Sequence, residues 1–279
     1  MRVALLGGSG FVGGALAGAL RERGDDVILL SLRAPRDSAV AAAACDAIVN
    51  LAGEPVAQRW TKAVKHRIIM SRTQAPHDFL EALAALPSQA QTYVSASAIG
   101  YYGHDLAATF DEGGAPGDDF LARVCVEWER EAQRAQGIGM RTACVRTGLA
   151  LGRGGALSKM LPLFRLGLGG RYGDGRQWYS WIHIDDLAAL YLLAIDEAGG
   201  AINATAPYPA RNAEFAATLA TVLRRPASLP VPAFALRVAL GEGADALLQG
   251  QRVLPNRAKA CGFRFKFPQL QGALESLLR

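Results

Sequence analysis

Met1-Arg2-Val3-Ala4-Leu5-Leu6-Gly7-Gly8-Ser9-Gly10-Phe11-Val12-Gly13 opens the chain, and its reading decides the fold. Residues 2–6 are a short apolar run of strand character that the following glycines cannot continue. Residues 11–23 read as a helix stopped by Gly24. Strand, tight turn and helix in that order place glycines at 7, 10 and 13, or in a second frame at 8, 10 and 13. Either frame lets backbone N–H groups approach a pyrophosphate, whose charge the helix N-terminus then stabilises. The stretch therefore points to a dinucleotide, with Gly7, Ser9, Gly10, Phe11, Val12 and Gly13 as its contacts.

Outward from this turn, apolar runs at 27–30, 47–51, 92–95 and 141–145 alternate with helical stretches at about 59–71, 76–86 and 118–136. Strands alternating with helices predict right-handed crossovers and an α/β, Rossmann-like doubly wound parallel sheet. Ligands of such sheets bind beyond the carboxyl ends of the strands. Too few residues separate Leu30 from Ala47 for a further helix, strand and helix. The third strand of the usual 3-2-1-4-5-6 order is thus expected to be missing, with the second strand at the sheet edge. Residues 1–152 read as the dinucleotide-binding domain, to which a strand and helix within 176–225 return. Residues 153–175 and 226–279 read as a small α+β substrate-side region. Three prolines between 226 and 232 mark a boundary before a helix of about 233–249. Phe263, Phe265 and Phe267 alternate as a short half-buried strand would, with their aromatic side in the core. The glycine-rich segment 167–175, with Arg171 and Arg176 nearby, is a candidate lid or substrate loop.

The end of the second strand selects the cofactor. An acidic residue there would bind a ribose 2′-OH, whereas a basic one would pair with a 2′-phosphate. The chain has Ser31-Leu32-Arg33-Ala34-Pro35-Arg36, with no carboxylate before Asp37. NADP is favoured over NAD, with Ser31 and Arg33 as the clamp. After the third strand, the small residues in Asn50-Leu51-Ala52-Gly53 let backbone pass close to a ribose, so Leu51, Ala52 and Gly53 join the set. A basic cluster follows at Lys62, Lys65, His66, Arg67 and Arg72. It either receives an acidic substrate or is a solvated helix face.

The fourth strand exits into Ser95-Ala96-Ser97-Ala98-Ile99-Gly100-Tyr101-Tyr102-Gly103-His104. A serine here can hydrogen-bond a substrate carbonyl or hydroxyl. A Tyr with a Lys four residues on would complete general acid–base catalysis, the ammonium lowering the phenol pKa. No Tyr-x-x-x-Lys exists in this sequence; Phe120 and Val124 fall where it would stand. Tyr101 or Tyr102 could supply the proton or could pack a pocket wall. His104, His183 and Asp185 rank below them. His183-Ile184-Asp185-Asp186 reads as a loop whose Asp caps a helix over 187–195. Arg146 could meet a substrate carboxylate or the cofactor, or form a structural ion pair.

The succession GGSGFVG, NLAGEPVAQRW, SASAIGYYG, DDFLARVCVEWE, VRTGLALGRGGAL, WYSWIHIDDLA and LGEGADALLQGQRVLPNRAKACGFRFKFP resembles the epimerase-family proteins of the YfcH-like type. These are atypical extended short-chain dehydrogenase/reductases with an epimerase/dehydratase N-terminal region and a C-terminal region of unknown function. The resemblance runs over nearly the whole chain. It implies a Rossmann domain binding NAD(P) and places Ser97 and Tyr101 at the family's active-site Ser and the Tyr that precedes a Gly. The segment between Leu30 and Ala47 is shorter than the family usually carries.

Composition bounds the rest. The chain has 279 residues, 51% of them hydrophobic, and a formal net charge of +5, which is no nucleic-acid signature. Cys45, Cys125, Cys144 and Cys261 form no metal-binding or disulfide pattern. No apolar run reaches the ~18 residues of a membrane span, and the N-terminus enters a strand at once without leader character. A cytoplasmic monomer or homodimer acting on a small molecule, with neither nucleic acid nor membrane as partner, is expected. The leading expectation is an NADP-dependent oxidoreductase or epimerase/dehydratase-like enzyme working through Ser97 and Tyr101 or Tyr102 on a small polar substrate. The alternative is a non-catalytic NADP-binding sensor. A cell-division role, often attached to such proteins, has no support in the residues.

Overall fold

Val3, Ala4, Leu5 and Leu6 have no exposed surface, so the first strand is covered on both faces, as the unbroken apolar run requires. The computed structural model describes residues 1–226 and 229–278. The first half runs β1 (Arg2–Leu6), α1 (Phe11–Glu22), β2 (Asp26–Leu30), α2 (Pro35–Ala43), β3 (Ala47–Asn50), α3 (Lys62–Met70), α4 (Gln74–Ala84), β4 (Thr92–Ala98), β5 (Asp105–Phe110), α5 (Phe120–Gln133) and β6 (Arg141–Thr147). It continues with β7 (Leu149–Leu151), α6 (Gly155–Arg165), β8 (Trp178–Tyr179), β9 (Trp181–His183), α7 (Ile184–Asp196), β10 (Gly200–Ala204), β11 (Ala210–Arg211) and α8 (Asn212–Leu223). The last stretch holds α9 (Ala233–Leu240), α10 (Asp245–Leu248), β12 (Gln251–Val253), α11 (Asn256–Ala260) and α12 (Leu270–Leu278).

Six strands form the central sheet in the order β10-β6-β4-β3-β1-β2, every pair parallel. This is the Rossmann-like doubly wound sheet, and β2 is its edge. The 31–46 segment has room for one helix, α2, which crosses directly from β2 to β3. Successive β1 side chains enter opposite cores, because strand side chains alternate between faces. Val3 and Leu5 pack with Leu16 and Leu20 of α1 and Leu187 and Leu190 of α7. Ala4 and Leu6 pack with Ala39 of α2 and Phe79 and Leu83 of α4. Each fully buried Leu contributes roughly 1.5–3 kcal/mol, and truncating one to Ala costs about 2–5 kcal/mol.

The second half departs from the sequence expectations in four places. The helix expected over 233–249 is broken, because Gly241 takes φ +60 directly after Leu240 and a 3₁₀ turn follows before α10. Phe263, Phe265 and Phe267 belong to no strand; they pack as partly buried side chains against the α7/α8 core, Phe263 and Phe265 edge to face with ring centroids 4.9 Å apart. The 167–175 segment is pinned by Gly173 N donating to Val231 O and Val231 N donating to Arg171 O. The cap of α7 is His183, whose Nδ1 accepts from Asp185 N, and not an aspartate. Asp186 instead accepts from the backbone N–H groups of Lys266 and Phe267, fastening the C-terminal segment to α7. The proline-marked boundary at 226–232 includes residues 227 and 228, which lie outside the described residues. Among the described residues no helix is long and apolar enough to cross a membrane, and no group of three or more His, Cys, Asp or Glu could hold a metal ion.

Candidate cofactor groove and substrate cavity

The turn between β1 and α1 is built from close backbone contacts. Gly7 has φ +80, and a Cβ there would stand 2.8 Å from Ala52 N. A Cβ on Gly13 would stand 2.5 Å from Gly7 O. Gly7 N donates to Leu30 O and Leu51 N to Leu6 O, so the ends of β2, β1 and β3 are stitched side by side. Asn50 is fully buried; its amide donates to the Tyr93 hydroxyl, and its Oδ1 accepts from Ala52 N. The carboxyl ends of three strands thus bring Gly7, Ser9, Gly10, Leu51, Ala52 and Gly53 to one groove. α1 begins at Phe11 with Gly10 as N-cap, with no side chain capping it and no acidic residue in the first turn. The first amides of α1 are therefore free for an external acceptor, and the helix dipole favours an anion there. The Phe11 ring lies against the 152–155 turn: a Cβ on Gly152 would be 2.6 Å from Phe11 Cζ.

The outer end of the groove lies after β2. Ser38 Oγ donates to Ser31 O and accepts from Ser31 N, and Ser31 Oγ accepts from Arg33 N. These bonds fix the turn that carries Arg33. Arg33 and Arg36 are exposed, and neither guanidinium has an ion-pair partner among the described residues.

Beyond the carboxyl ends of β4 and β6 lies a cavity of about 640 Å³. That volume suits a small-molecule ligand. Ala98, Ile99 and Gly100 line it from the β4 end, Thr147 and Gly148 from the β6 end, and residues 245–247 and 249–251 from the C-terminal segment. Phe120 and Val124 also line it, so the positions where a catalytic Tyr and Lys would stand present apolar side chains. They pack with Trp60, Val64 and Ile68, the Phe120 and Trp60 rings edge to face at 5.1 Å. Lys65 enters from α3; its ammonium sits 5.1 Å from the Phe120 ring centre and pairs with Glu242. His104 is on the wall, with Nδ1 3.1 Å from both Gly250 N and Gly250 O.

The structure gathers Ser97, Tyr101 and Tyr102 around Arg146, away from the lining of this cavity. Ser97 is 3% exposed, and its hydroxyl donates to Glu129 Oε1 at 2.7 Å. Arg146 meets the same carboxylate twice, Nε to Oε1 and Nη2 to Oε2, each at 2.8 Å. Arg146 Nη1 donates to the Tyr102 hydroxyl at 2.9 Å, and that hydroxyl donates to Asn203 Oδ1 at 2.7 Å. The Arg146 guanidinium carbon lies 3.5 Å from the Tyr101 ring centre. Burial works against the charge of Arg146, and the bonds to Glu129 and Tyr102 more than offset it, raising its pKa. Burial raises the Tyr102 pKa despite the Arg146 contact. Of the readings open for Arg146, the geometry shows the buried ion pair.

Sequence reasoning did not find Glu129, Asn203 or Trp128. The basic cluster splits: Lys62 and His66 are exposed, Arg67 pairs with Glu54, and Lys65 and Arg72 reach the cavity. His183 is 2% exposed, its ring tilted against Phe267 with centroids 3.9 Å apart and Nε2 3.2 Å from Ser276 Oγ. It and Asp185 stand outside the cavity.

Comparison with known proteins agrees with this architecture. Residues 3–204 match the NAD dependent epimerase/dehydratase family, and residues 231–277 match a domain of unknown function, DUF1731. The epimerase family protein SDR39U1 of Bos taurus is 40% identical over 294 residues, covering 100% of both chains. The epimerase family protein YfhF of Bacillus subtilis is 38% identical, covering 100% of this chain and 98% of its own. A crystal structure of human epimerase family protein SDR39U1 with NADPH superposes with a TM-score of 0.93 at 37% identity, covering 99% of each chain. With the match spanning the whole central sheet, the chain belongs to the NAD dependent epimerase/dehydratase family.

Proposed function

We propose that this protein binds NADP through the β1–α1 turn and uses it on a small polar substrate held in the neighbouring cavity. The observation that carries the reading is the uncapped N-terminus of α1 behind a glycine turn too crowded for a side chain at Gly7 or Gly13. Those amides fit a pyrophosphate; a carboxylate or side-chain cap in their place would exclude one. At the outer end, Ser31 and the unpaired Arg33 fit a 2′-phosphate, which a guanidinium recognises with charge-assisted hydrogen bonds. Leu51, Ala52 and Gly53 complete the groove between the two. The human relative crystallised with NADPH supports the same choice of cofactor.

When bound, the nicotinamide supplies hydride exchange with a carbonyl or alcohol carbon. The chain's own part is to hold the substrate, exclude water and exchange the proton. For the proton, the cavity wall offers the His104 imidazole, whose Nε2 takes no part in the Nδ1 contacts to Gly250. Ser97, Tyr101 and Tyr102 act in this reading through the Arg146 network, which fixes the ends of β4 and β6 beneath the cavity. Calorimetric titration with NADPH and NADH, followed by a carbonyl screen that monitors NADPH oxidation, tests the proposal. Micromolar binding with preference for NADPH and turnover of any carbonyl compound supports it; failure to bind either cofactor removes it.

The presence of Phe120 and Val124 on the cavity wall favours a second reading, a non-catalytic NADP-binding sensor. NADPH binding without oxidation across the screen is its signature.

A further inference from the structure

Arg72 follows α3 directly, in a run of basic residues, yet it is only 8% exposed. A guanidinium is charged at every accessible pH and is rarely buried without a carboxylate partner. Here no Asp or Glu among the described residues comes within salt-bridge distance of it. The nearby Glu54 spends its carboxylate on Gln58 and Arg67 and offers Arg72 only its backbone carbonyl. The side-chain hydrogen bonds of Arg72 all leave from Nη1, to Glu54 O, Ile68 O and Ser71 Oγ. This holds one corner of the guanidinium in place and leaves Nη2 and Nε without a hydrogen-bond partner among the described residues.

The guanidinium carbon lies 4.8 Å from the centre of the Trp128 ring. Trp128 is 6% exposed, and its indole Nε1–H has no hydrogen-bond acceptor among the described residues. A buried N–H donor without an acceptor costs about 1–3 kcal/mol, so its retention beside a cavity needs a reason. Both side chains line the 640 Å³ cavity, and Lys65 and Arg123 add two more cations to the wall. The three acidic side chains on that wall have partners: Asp119 Oδ1 accepts from Ala122 N, Glu242 pairs with Lys65, and Asp245 lies 4.0 Å from Arg237. The cavity wall thus carries a fixed positive charge, with a buried indole N–H that has no acceptor packed beside it.

We infer that Arg72 and Trp128 bind the carboxylate of the substrate, so that the molecule this protein takes is a small oxo or hydroxy acid. The inference rests on the proposed use of the cavity as the substrate site. An acid bound there gives Arg72 the counter-charge it lacks and turns the carbon bearing the oxygen toward the ends of β4 and β6.

The experiment is calorimetric titration of NADPH-saturated protein with pyruvate, 2-oxoglutarate and glucuronate, each beside its neutral amide. At least one acid is expected to bind about tenfold tighter than its amide, the margin of one or two charge-assisted hydrogen bonds. Arg72→Gln removes that margin and keeps NADPH binding unchanged. Trp128→Phe keeps the ring under the guanidinium and weakens the acid several-fold; it carries the test if Arg72→Gln does not fold. Equal binding of acid and amide, or no binding of any acid, overturns the inference. Weakened NADPH binding in Arg72→Gln also overturns it, because the guanidinium would then serve a cofactor phosphate. Titration without cofactor separates the two proposals: acid binding that persists while wild-type protein fails to bind NADPH leaves this inference standing and removes the cofactor reading alone.

Discussion

The Ser97 hydroxyl donates to Glu129 Oε1 at 2.7 Å, the same oxygen that Arg146 Nε reaches at 2.8 Å. One buried carboxylate oxygen therefore joins β4, α5 and β6. Breaking a buried ion pair from one side leaves an uncompensated charge, so Arg146→Met and Glu129→Leu are each expected to destabilise by roughly 3–5 kcal/mol. Ser97→Ala removes only one bond to that oxygen and should cost about 1–2 kcal/mol with NADPH affinity preserved. Urea unfolding of the three variants checks the ranking. A Ser97→Ala loss as large as that of Arg146→Met would mean the hydroxyl holds more than Glu129.

Arg33, just beyond the end of β2, has no ion-pair partner among the described residues. Arg33→Ala is expected to weaken NADPH by about 1.5–3 kcal/mol while barely changing NADH. Titration of both cofactors decides it, and an equal loss for the two assigns Arg33 another role.

Gly13 tests the turn itself. A methyl group there meets Gly7 O and Gly8 Cα, backbone atoms that cannot swing aside. Gly13→Ala should lower stability by roughly 1–3 kcal/mol and abolish NADPH binding. Gly14, with nothing within reach of a Cβ, provides the control, and Gly14→Ala should bind NADPH as wild type does.

His183 gives a pH dependence. Burial lowers its pKa below the ordinary 6.5, in spite of Asp185 and Asp186, which raise it. In the folded chain the neutral ring accepts from Asp185 N, a bond that protonation of Nδ1 removes. The lowered pKa means the unfolded chain binds this proton more readily. Its stabilising effect is complete above about pH 6.5 and is lost as pH falls through that value toward the folded pKa. His183→Asn keeps an acceptor at the cap and should flatten the stability profile between pH 7 and pH 5 by about 1 kcal/mol or less. An unchanged slope in His183→Asn would place the titration elsewhere.

The parts of this molecule legible in sequence are the local ones. GGSGFVG fixes strand, turn and helix within thirteen residues, and the short 31–46 segment reveals an edge at β2 because chain length alone forbids another strand. The choice of NADP is legible in the residues that follow Leu30, which hold no carboxylate before Asp37. Contacts between distant segments were not. The partner of Ser97 is 32 residues away on a helix, and that of Tyr102 is 101 residues away on β10. Arg72 reads as one more charge on a basic helix; only the bend between α3 and α4 turns it inward onto Trp128. The break in 233–249 was missed because Gly241 sits within an otherwise helical pattern, and its φ of +60 is a tertiary choice.

β2 pairs with β1 alone, so one side of its backbone has no strand to lean on. Edge strands open at a lower free energy than the centre of a sheet. Amide hydrogens over residues 26–33 are therefore the ones whose exchange with solvent deuterium a dinucleotide should slow most, since a phosphate gripped by Arg33 would close from outside a margin that no neighbouring strand secures. Occupancy of the groove would thus be written into the exchange rate of a strand that touches the nucleotide only at its tip.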